Sequence, residues 1–286
     1  MRDSAAITIR PAKPGDRQLV GALLSTARWR HLHLDWFNAL SLLERSPFLL
    51  CEQGHAPLAC LACPPEPPGI AWLRLLLVSA QYAPDRMWRK LWPEAAAMAA
   101  SCGATQAVAL VQNEWLGPIL AQEGFVLRNS VVTLEKSIPS SGASFAERCD
   151  IRAMRSDDLP AVAEIDAHAF GPIWRNSQQA LEIALSQAAL ATMAWHDERP
   201  AGYQIATTSR HAAHLARLGV EPSLQGKGLG RMLVEDLLSW LARREIPILT
   251  VNTQVDNRPA LHLYRKLGFR EIGVLYPVYE KSLPQD

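Results

Sequence analysis

The chain is written twice. When residues 1–140 are laid over residues 150–286, the run Ile9-Arg10 through Asp16 falls on Ile151-Arg152 through Asp158, a shift of 142 residues. WLRLLLV ending at Val78 falls on HLARLGV ending at Val220, and Asn113 precedes Phe125 by the same twelve residues that separate Asn257 from Phe269. Three ordered matches at a nearly constant shift describe two tandem homologous domains, so an assignment made in one half constrains the other. The length of 286 residues agrees, since a domain averages roughly 100 to 200. The expected domains are 1–138 and 150–286. The joint is placed at residues 137–144, where Ser, Gly and Pro replace any hydrophobic period.

Each half reads as strand, helix pair, two or three strands, helix, strand, helix, strand. That order predicts an α+β fold with a mixed sheet flanked by helices. Asp16 and Asp158 each stand just before an amphipathic helix, where an acidic cap is expected. Apolar residues at 49% and charged residues at 20% match ordinary globular composition and exclude rods and long disordered tails. With 29 Lys plus Arg against 28 Asp plus Glu there is no whole-molecule field to gather nucleic acid or anionic lipid, so any anion site must be local. MRDSAAITIR lacks the apolar core of a signal peptide, and no apolar run approaches a bilayer span. The expectation is a cytoplasmic monomer or homodimer with no nucleic-acid or membrane partner. The five cysteines are read as reduced thiols, and Cys60–Cys63 as a lone CxxC without the second ligand pair a metal would need.

The second half carries the chemistry. Strand HLARLGV leads through Glu221-Pro222-Ser223-Leu224 into Gln225-Gly226-Lys227-Gly228-Leu229-Gly230-Arg231. Leu229, Met232, Leu233, Leu237, Leu238 and Leu241 then recur at three and four residues, so a helix starts at the glycines. Glycines there leave N–H groups uncovered at the positive end of a helix, an arrangement suited to a phosphate. Lys227 and Arg231 point the same way, because cations at a helix N-terminus are disfavoured unless an anion lies between. A P-loop is excluded because Gly228, not Ser or Thr, follows Lys227. A dinucleotide fingerprint is excluded because Leu233 stands where its third Gly or Ala belongs.

Val220-Glu221-Pro222 with Gln225-Gly226-Lys227-Gly228-Leu229-Gly230 resembles the acetyl-CoA signature of the GNAT N-acetyltransferase superfamily. Asn257-Arg258-Pro259-Ala260 with Leu263-Tyr264 and Leu267-Gly268-Phe269 resembles that family's second CoA-facing segment. The resemblance covers residues 150–283 closely and the first half in outline. The tandem arrangement is similar to mycothiol synthase, and Phe170 with Trp174 to the ribosomal-protein-alanine N-acetyltransferases. It implies acetyl-CoA as cosubstrate and no metal, with a small-molecule amine or a peptide N-terminus as acceptor. Pyrophosphate is then held by Gln225, Gly226, Lys227, Gly228, Leu229, Gly230 and Arg231, and the CoA arm by Asn257. The thioester carbonyl is polarised by strand N–H groups at Leu218, Gly219 and Val220. Tyr264 is the expected acid for the departing thiolate.

The resemblance places the base at His214, with His211 second. Where the ribosomal-alanine enzymes carry a Glu, this chain has Asn252, which takes no proton. Deprotonating a Lys of pKa about 10.4 at pH 7 costs about 4.6 kcal/mol, against about 1.4 for an α-amine of pKa about 8, so a weak base favours low-pKa amines. In the first half Ala83, Arg86, Trp88 and Leu120 replace Gln225, Gly228, Gly230 and Tyr264, and Trp72 replaces His214. No catalysis is expected there, and its six tryptophans are read mainly as core. The competing reading is an acyl-CoA-binding sensor without turnover.

Overall fold

The computed structural model describes residues 6–138 and 151–284; residues 139–144 of the expected joint lie outside the described residues. The elements in chain order are β1 (Ile7–Pro11), α1 (Arg17–Thr26), β2 (Trp29–Leu32), β3 (Phe48–Gln53), β4 (Ala56–Ala62), β5 (Ile70–Trp72), β6 (Leu75–Val78), α2 (Pro84–Ser101), β7 (Gln106–Leu110), α3 (Leu116–Gln122) and β8 (Val126–Ser137). They continue as β9 (Ile151–Ala153), α4 (Leu159–Ala169), α5 (Gln178–Gln187), β10 (Leu190–His196), β11 (Arg199–Thr208), β12 (Ala213–Val220), α6 (Leu229–Ala242), β13 (Ile248–Gln254), α7 (Arg258–Lys266) and β14 (Arg270–Ser282). Two compact units form, one from residues 1–128 with 276–286 and one from 129–275.

In the first unit β1, β3, β4, β6 and β2 make an antiparallel sheet in that order. β5 runs parallel to β7, which takes Val278–Ser282 of β14 on its other side. The runs in β3 and β4 are buried on both faces, which explains their continuous apolar sequence. α2 lays Met87, Trp88, Leu91, Trp92, Ala95 and Ala99 into the same core. Trp88 and Trp92 stack at 4.9 Å and both meet Phe125, so these tryptophans are core as expected.

The second unit is built on β8, β13, β12, β11, β10 and β9; β13 and β12 are parallel and the other pairs antiparallel. Units and sequence halves therefore divide the chain differently: β8 pairs with β13 and the end of β14 pairs with β7, so each half lends its last strand to the other unit. A shift of 142 residues cannot reveal this, because exchanging equivalent strands leaves the repeat unchanged.

The opening match also has a structural cause other than the one expected. Asp16 and Asp158 do not cap their helices with a side-chain bond. Each carboxylate instead accepts a backbone N–H three residues upstream (Lys13, Arg155; 2.7 Å) and a forked pair from an arginine, Arg10 at 2.8 and 2.8 Å and Arg152 at 2.8 and 2.6 Å. The halves differ after their first helix. The second unit has the expected helix pair, α4 and α5, whereas the first replaces its second helix with β2 and a short 3₁₀ turn at Ser41–Glu44.

Candidate functional site

β12 and β13 pair in parallel only at Ala213–Leu249, His214–Thr250 and Leu215–Val251; beyond that β12 keeps β11 as partner and β13 keeps β8. The strands part after Leu215. Glu221 N–H donates to Ala201 C=O on the β11 side at 2.9 Å, and strand alternation then turns the N–H groups of Leu218 and Val220 toward the parted edge, with Gly219 facing β11. Of the three residues expected to polarise a carbonyl, two thus present N–H groups to that edge.

A bulge sorts the side chains. Arg217 lies opposite Ile205 but Leu215 opposite Ala206, leaving Ala216 as the extra residue. Ala213, Leu215, Leu218 and Val220 pack on the α6 side. The bulge brings Arg217 and Gly219 round to the face that His214 occupies. Gly219 is required there, since a Cβ would lie 2.6 Å from the Tyr203 ring.

The glycine turn starts α6 as the sequence reading expects. Gly226 and Gly228 have φ of +76° and +89°, which other residues adopt only with strain, and a Cβ on either would meet no atom within 4 Å. Gly230 packs close to α7: a Cβ there would meet Leu263 at 3.4 Å and Val220 at 3.7 Å, ordinary contact distances. Leu224 and Gln225 N–H groups are used by Glu221 and Pro222, and Met232 N–H by Gly228. Among the described residues the N–H groups of Gly226, Lys227, Gly228, Leu229, Gly230 and Arg231 have no acceptor, a row of donors at the positive end of a helix. The Gln225 side chain donates to Val220 C=O at 3.1 Å and ties the turn to the strand. Arg231 pairs with Glu235 at 2.6 Å, which leaves Lys227 as the cation whose place at the helix start calls for an anion.

Tyr264 is 4% exposed in the core shared by α7 and β13, its ring 5.5 Å from Phe269. Its hydroxyl has no hydrogen-bond partner among the described residues, and burial pushes its pKa up, keeping it protonated at neutral pH. Asn257 caps α7 by accepting Ala260 N–H at 3.2 Å, and its Nδ2 faces Gln254 Oε1 at 3.4 Å. His214 is half-buried with its pKa lowered by that burial. Its Nδ1 lies 2.9 Å from Thr250 Oγ1, which is 3.2 Å from Ala213 C=O. A hydroxyl has one proton, so satisfying both contacts puts the proton on Nδ1 and leaves Nε2 with its lone pair free. Asn252 is bonded by Thr133 at 2.8 Å.

The sequence reading misses a buried polar node beside this site. Asp166 of α4 is 0% exposed. Its carboxylate accepts from Asn176 N–H at 2.8 Å, from the Tyr203 hydroxyl, and from Arg217 at 2.7 and 2.6 Å. Asp166 reads as one more polar residue of an amphipathic helix, and Arg217 shows its face only once the bulge is known.

The first unit answers differently at the equivalent place. β5 and β6 correspond to β12 in two pieces, and Ala71–Ala107 repeats the Ala213–Leu249 pairing at the shift of 142 on both strands. The edge of β6 matching the parted edge of β12 is taken by β2, with Trp29 opposite Val78, Arg30 opposite Leu77, His31 opposite Leu76 and Leu32 opposite Leu75.

Parted parallel strands beside a helix that starts on left-handed glycines define an acyltransferase fold, here present in tandem outline. Residues 159–269 match the family model described as Acetyltransferase (GNAT) family. The chain is 31% identical over 124 residues to the [ribosomal protein bS18]-alanine N-acetyltransferase of Salmonella typhimurium, covering 43% of this chain and 82% of that one. It is 45% identical over 56 residues to the mycothiol acetyltransferase of Acidothermus cellulolyticus, 20% of this chain and 17% of that one. A tandem GNAT protein from the clavulanic acid biosynthesis pathway superposes with a TM-score of 0.65 at 17% identity, covering 98% of this chain and 100% of its own. The chain belongs to the GNAT acetyltransferase family, as an acetyl-CoA-dependent N-acetyltransferase with two tandem GNAT-like domains.

Proposed function

We propose that the second unit alone transfers the acetyl group, from acetyl-CoA to a primary amine of low pKa, a peptide N-terminus or a small α-amine. The observation that carries this is the contrast between two equivalent strand edges: β12 parts from β13 beside six N–H groups without an acceptor among the described residues, whereas the matching edge of β6 is already bonded to β2. The N-acetyltransferases named among the relatives support acetyl transfer to nitrogen, and the bS18-alanine enzyme supports an α-amine acceptor.

Acetyl-CoA supplies an activated acyl carbon and a thiolate leaving group. The turn from Gly226 to Arg231 receives a pyrophosphate on its N–H groups, with Lys227 adding charge, and Asn257 Nδ2 reaches the arm. Leu218 and Val220 N–H groups stabilise negative charge on the carbonyl oxygen as it develops. His214 Nε2 takes the proton of the attacking amine, and the Tyr264 hydroxyl gives one to the departing sulfur. An α-amine needs little help from a base whose pKa burial has lowered, which is why the acceptor class follows from the site.

Incubation with acetyl-CoA and a panel of peptides with free or blocked N-termini, read by denaturing mass spectrometry, tests the reading. A 42 Da gain (roughly one acetyl) confined to free N-termini is the expected result. Tight acetyl-CoA binding with no transfer to any amine would leave the sensor reading in its place.

A further inference from the structure

We propose that Asp166 and Arg217 are positioning residues for the acceptor: their buried pair fixes residues 170–176 on the face of β12 opposite α6, and that segment selects which amine reaches the thioester. This rests on the cleft assigned above.

The segment is held at three points by one ion pair. Arg217 lays its guanidinium over the Phe170 ring, 3.4 Å from the centroid. The same side chain donates through Nη2 to Trp174 C=O at 2.7 Å. Asp166 Oδ1 accepts Asn176 N–H at 2.8 Å while Oδ2 accepts from Arg217 and the Tyr203 hydroxyl. Helix α4 supplies the carboxylate, β12 the guanidinium and β11 the phenol, so the segment's position is tied to the strand that parts.

The direction of the segment follows from the strand. Leu218 and Val220 pack toward Leu229 and Leu233 of α6, the side where the glycine turn lies. Arg217 and Gly219 face the other way, with His214. A cosubstrate seated on the glycine turn approaches from the α6 side, and the amine then arrives from the face that Arg217, His214 and residues 170–176 share. Arg217 directly precedes Leu218, so the clamped segment sits one residue from an N–H assigned to the carbonyl. Phe170 carries the ring that Arg217 covers and Trp174 the carbonyl it bonds, and both are half-buried.

A purely structural staple would predict the same bonds but no effect on choice of acceptor. Arg217→Lys separates the two: the charge for Asp166 stays, but the ammonium lacks the second donor that Arg217 Nε gives Asp166 and offers Phe170 no flat face. In the full chain, acetyl-CoA Kd is measured by calorimetry, and kcat and KM on hexapeptides with free N-termini that differ only in their first residue. Amide exchange is followed in 170–176. The expected result is an acetyl-CoA Kd within about twofold of wild type, an acceptor KM raised about tenfold or more with an altered first-residue preference, and faster exchange confined to 170–176.

An unchanged KM and preference order in a folded variant overturns the proposal, as does a parallel loss of acetyl-CoA affinity. If the wild-type chain acetylates none of the peptides, the peptide part of the acceptor class of the preceding section fails; the same KM comparison is then made on a set of small α-amines, and an unchanged KM and preference order there overturns the positioning role. Should Arg217→Lys not fold, Phe170→Leu, which leaves the ion pair intact, carries the same comparison.

Discussion

Asn113 donates its Nδ2 hydrogen to the carbonyl oxygen of Arg30 at 3.0 Å, and Gln112 does the same to Leu32 at 2.8 Å. Asn113 is the counterpart of Asn257, the residue assigned to the CoA arm. Its partner in the first unit is thus a peptide carbonyl of β2, the strand that also bonds the edge of β6. A backbone strand and an amide-containing arm make the same hydrogen bonds, so the first unit satisfies with its own chain the groups the second leaves open. Calorimetry should find one acetyl-CoA per chain. Two sites of similar affinity would mean that β2 leaves its edge, and would overturn the assignment.

Gly228→Glu separates backbone strain from charge when compared with Gly228→Ala. Nothing lies within 4 Å of the added Cβ in either variant, and both carry the cost of a φ of +89°, on the order of 1–2 kcal/mol. Only Glu brings a carboxylate to the row of N–H groups. Acetyl-CoA affinity should fall modestly in the Ala variant and by about a hundredfold or more in the Glu variant, roughly 2.7 kcal/mol or above. Equal losses would show that the turn does not hold an anion.

Tyr264→Phe removes a hydroxyl without a partner among the described residues and keeps the ring against Phe269. Stability should hold, since the ring's packing is unchanged. Acetyl-CoA affinity should stay, while the chemical step slows by about 10². Single-turnover rates equal to wild type would show that the thiolate leaves without that proton.

The sequence reading reached those elements whose signal is local. The leucine stripe of α6, the glycines before it and the strand HLARLGV each come from a few neighbouring residues, and each lies where expected. Non-local pairing stayed hidden. Trp29-Arg30-His31-Leu32 carries no mark of the strand it joins, and its place by β6 follows from the pairing of Trp29 with Val78, far along the chain. The exchange of β8 and β14 is invisible for a different reason, because equivalent strands fit equivalent positions. The bulge at Ala216 is legible only from β11, yet it decides that Arg217 and His214 share a face.

Acid should weaken the first unit through His31. The ring is 0% exposed, its Nε2 lies 3.0 Å from Leu73 C=O and its Nδ1 has no partner among the described residues. Burial pushes its pKa down from 6.5 to about 4. The unfolded chain therefore binds a proton before the folded one does, so stability present above pH 6.5 is lost as pH falls toward 4, by roughly 3 kcal/mol at most. Urea unfolding between pH 7 and 4.5 should show this slope, reduced in His31→Gln. His33, also pushed down by burial and by Arg74, supplies a remainder. Identical slopes in the two chains would remove His31 from the account.

His214 makes the sharpest kinetic prediction, because its tautomer and its pKa are set by separate features. Thr250 Oγ1 at 2.9 Å accepts a hydrogen bond from Nδ1–H, which leaves Nε2 able to accept a proton, and burial lowers the pKa below 6.5. The neutral ring is the working form, so a limb due to His214 falls away on the acid side of 6.5, whereas an α-amine acceptor gives a limb near its own pKa of about 8. In kcat, measured with the amine bound, His214→Ala should lose the lower limb and keep a reduced rate that rises with the acceptor's deprotonation. Thr250→Val should keep the limb but lower the plateau by up to about tenfold, since the ring then loses the partner that fixes its tautomer. Profiles of wild type and His214→Ala that superimpose after scaling would take the base away from His214 and leave deprotonation of the amine to solvent.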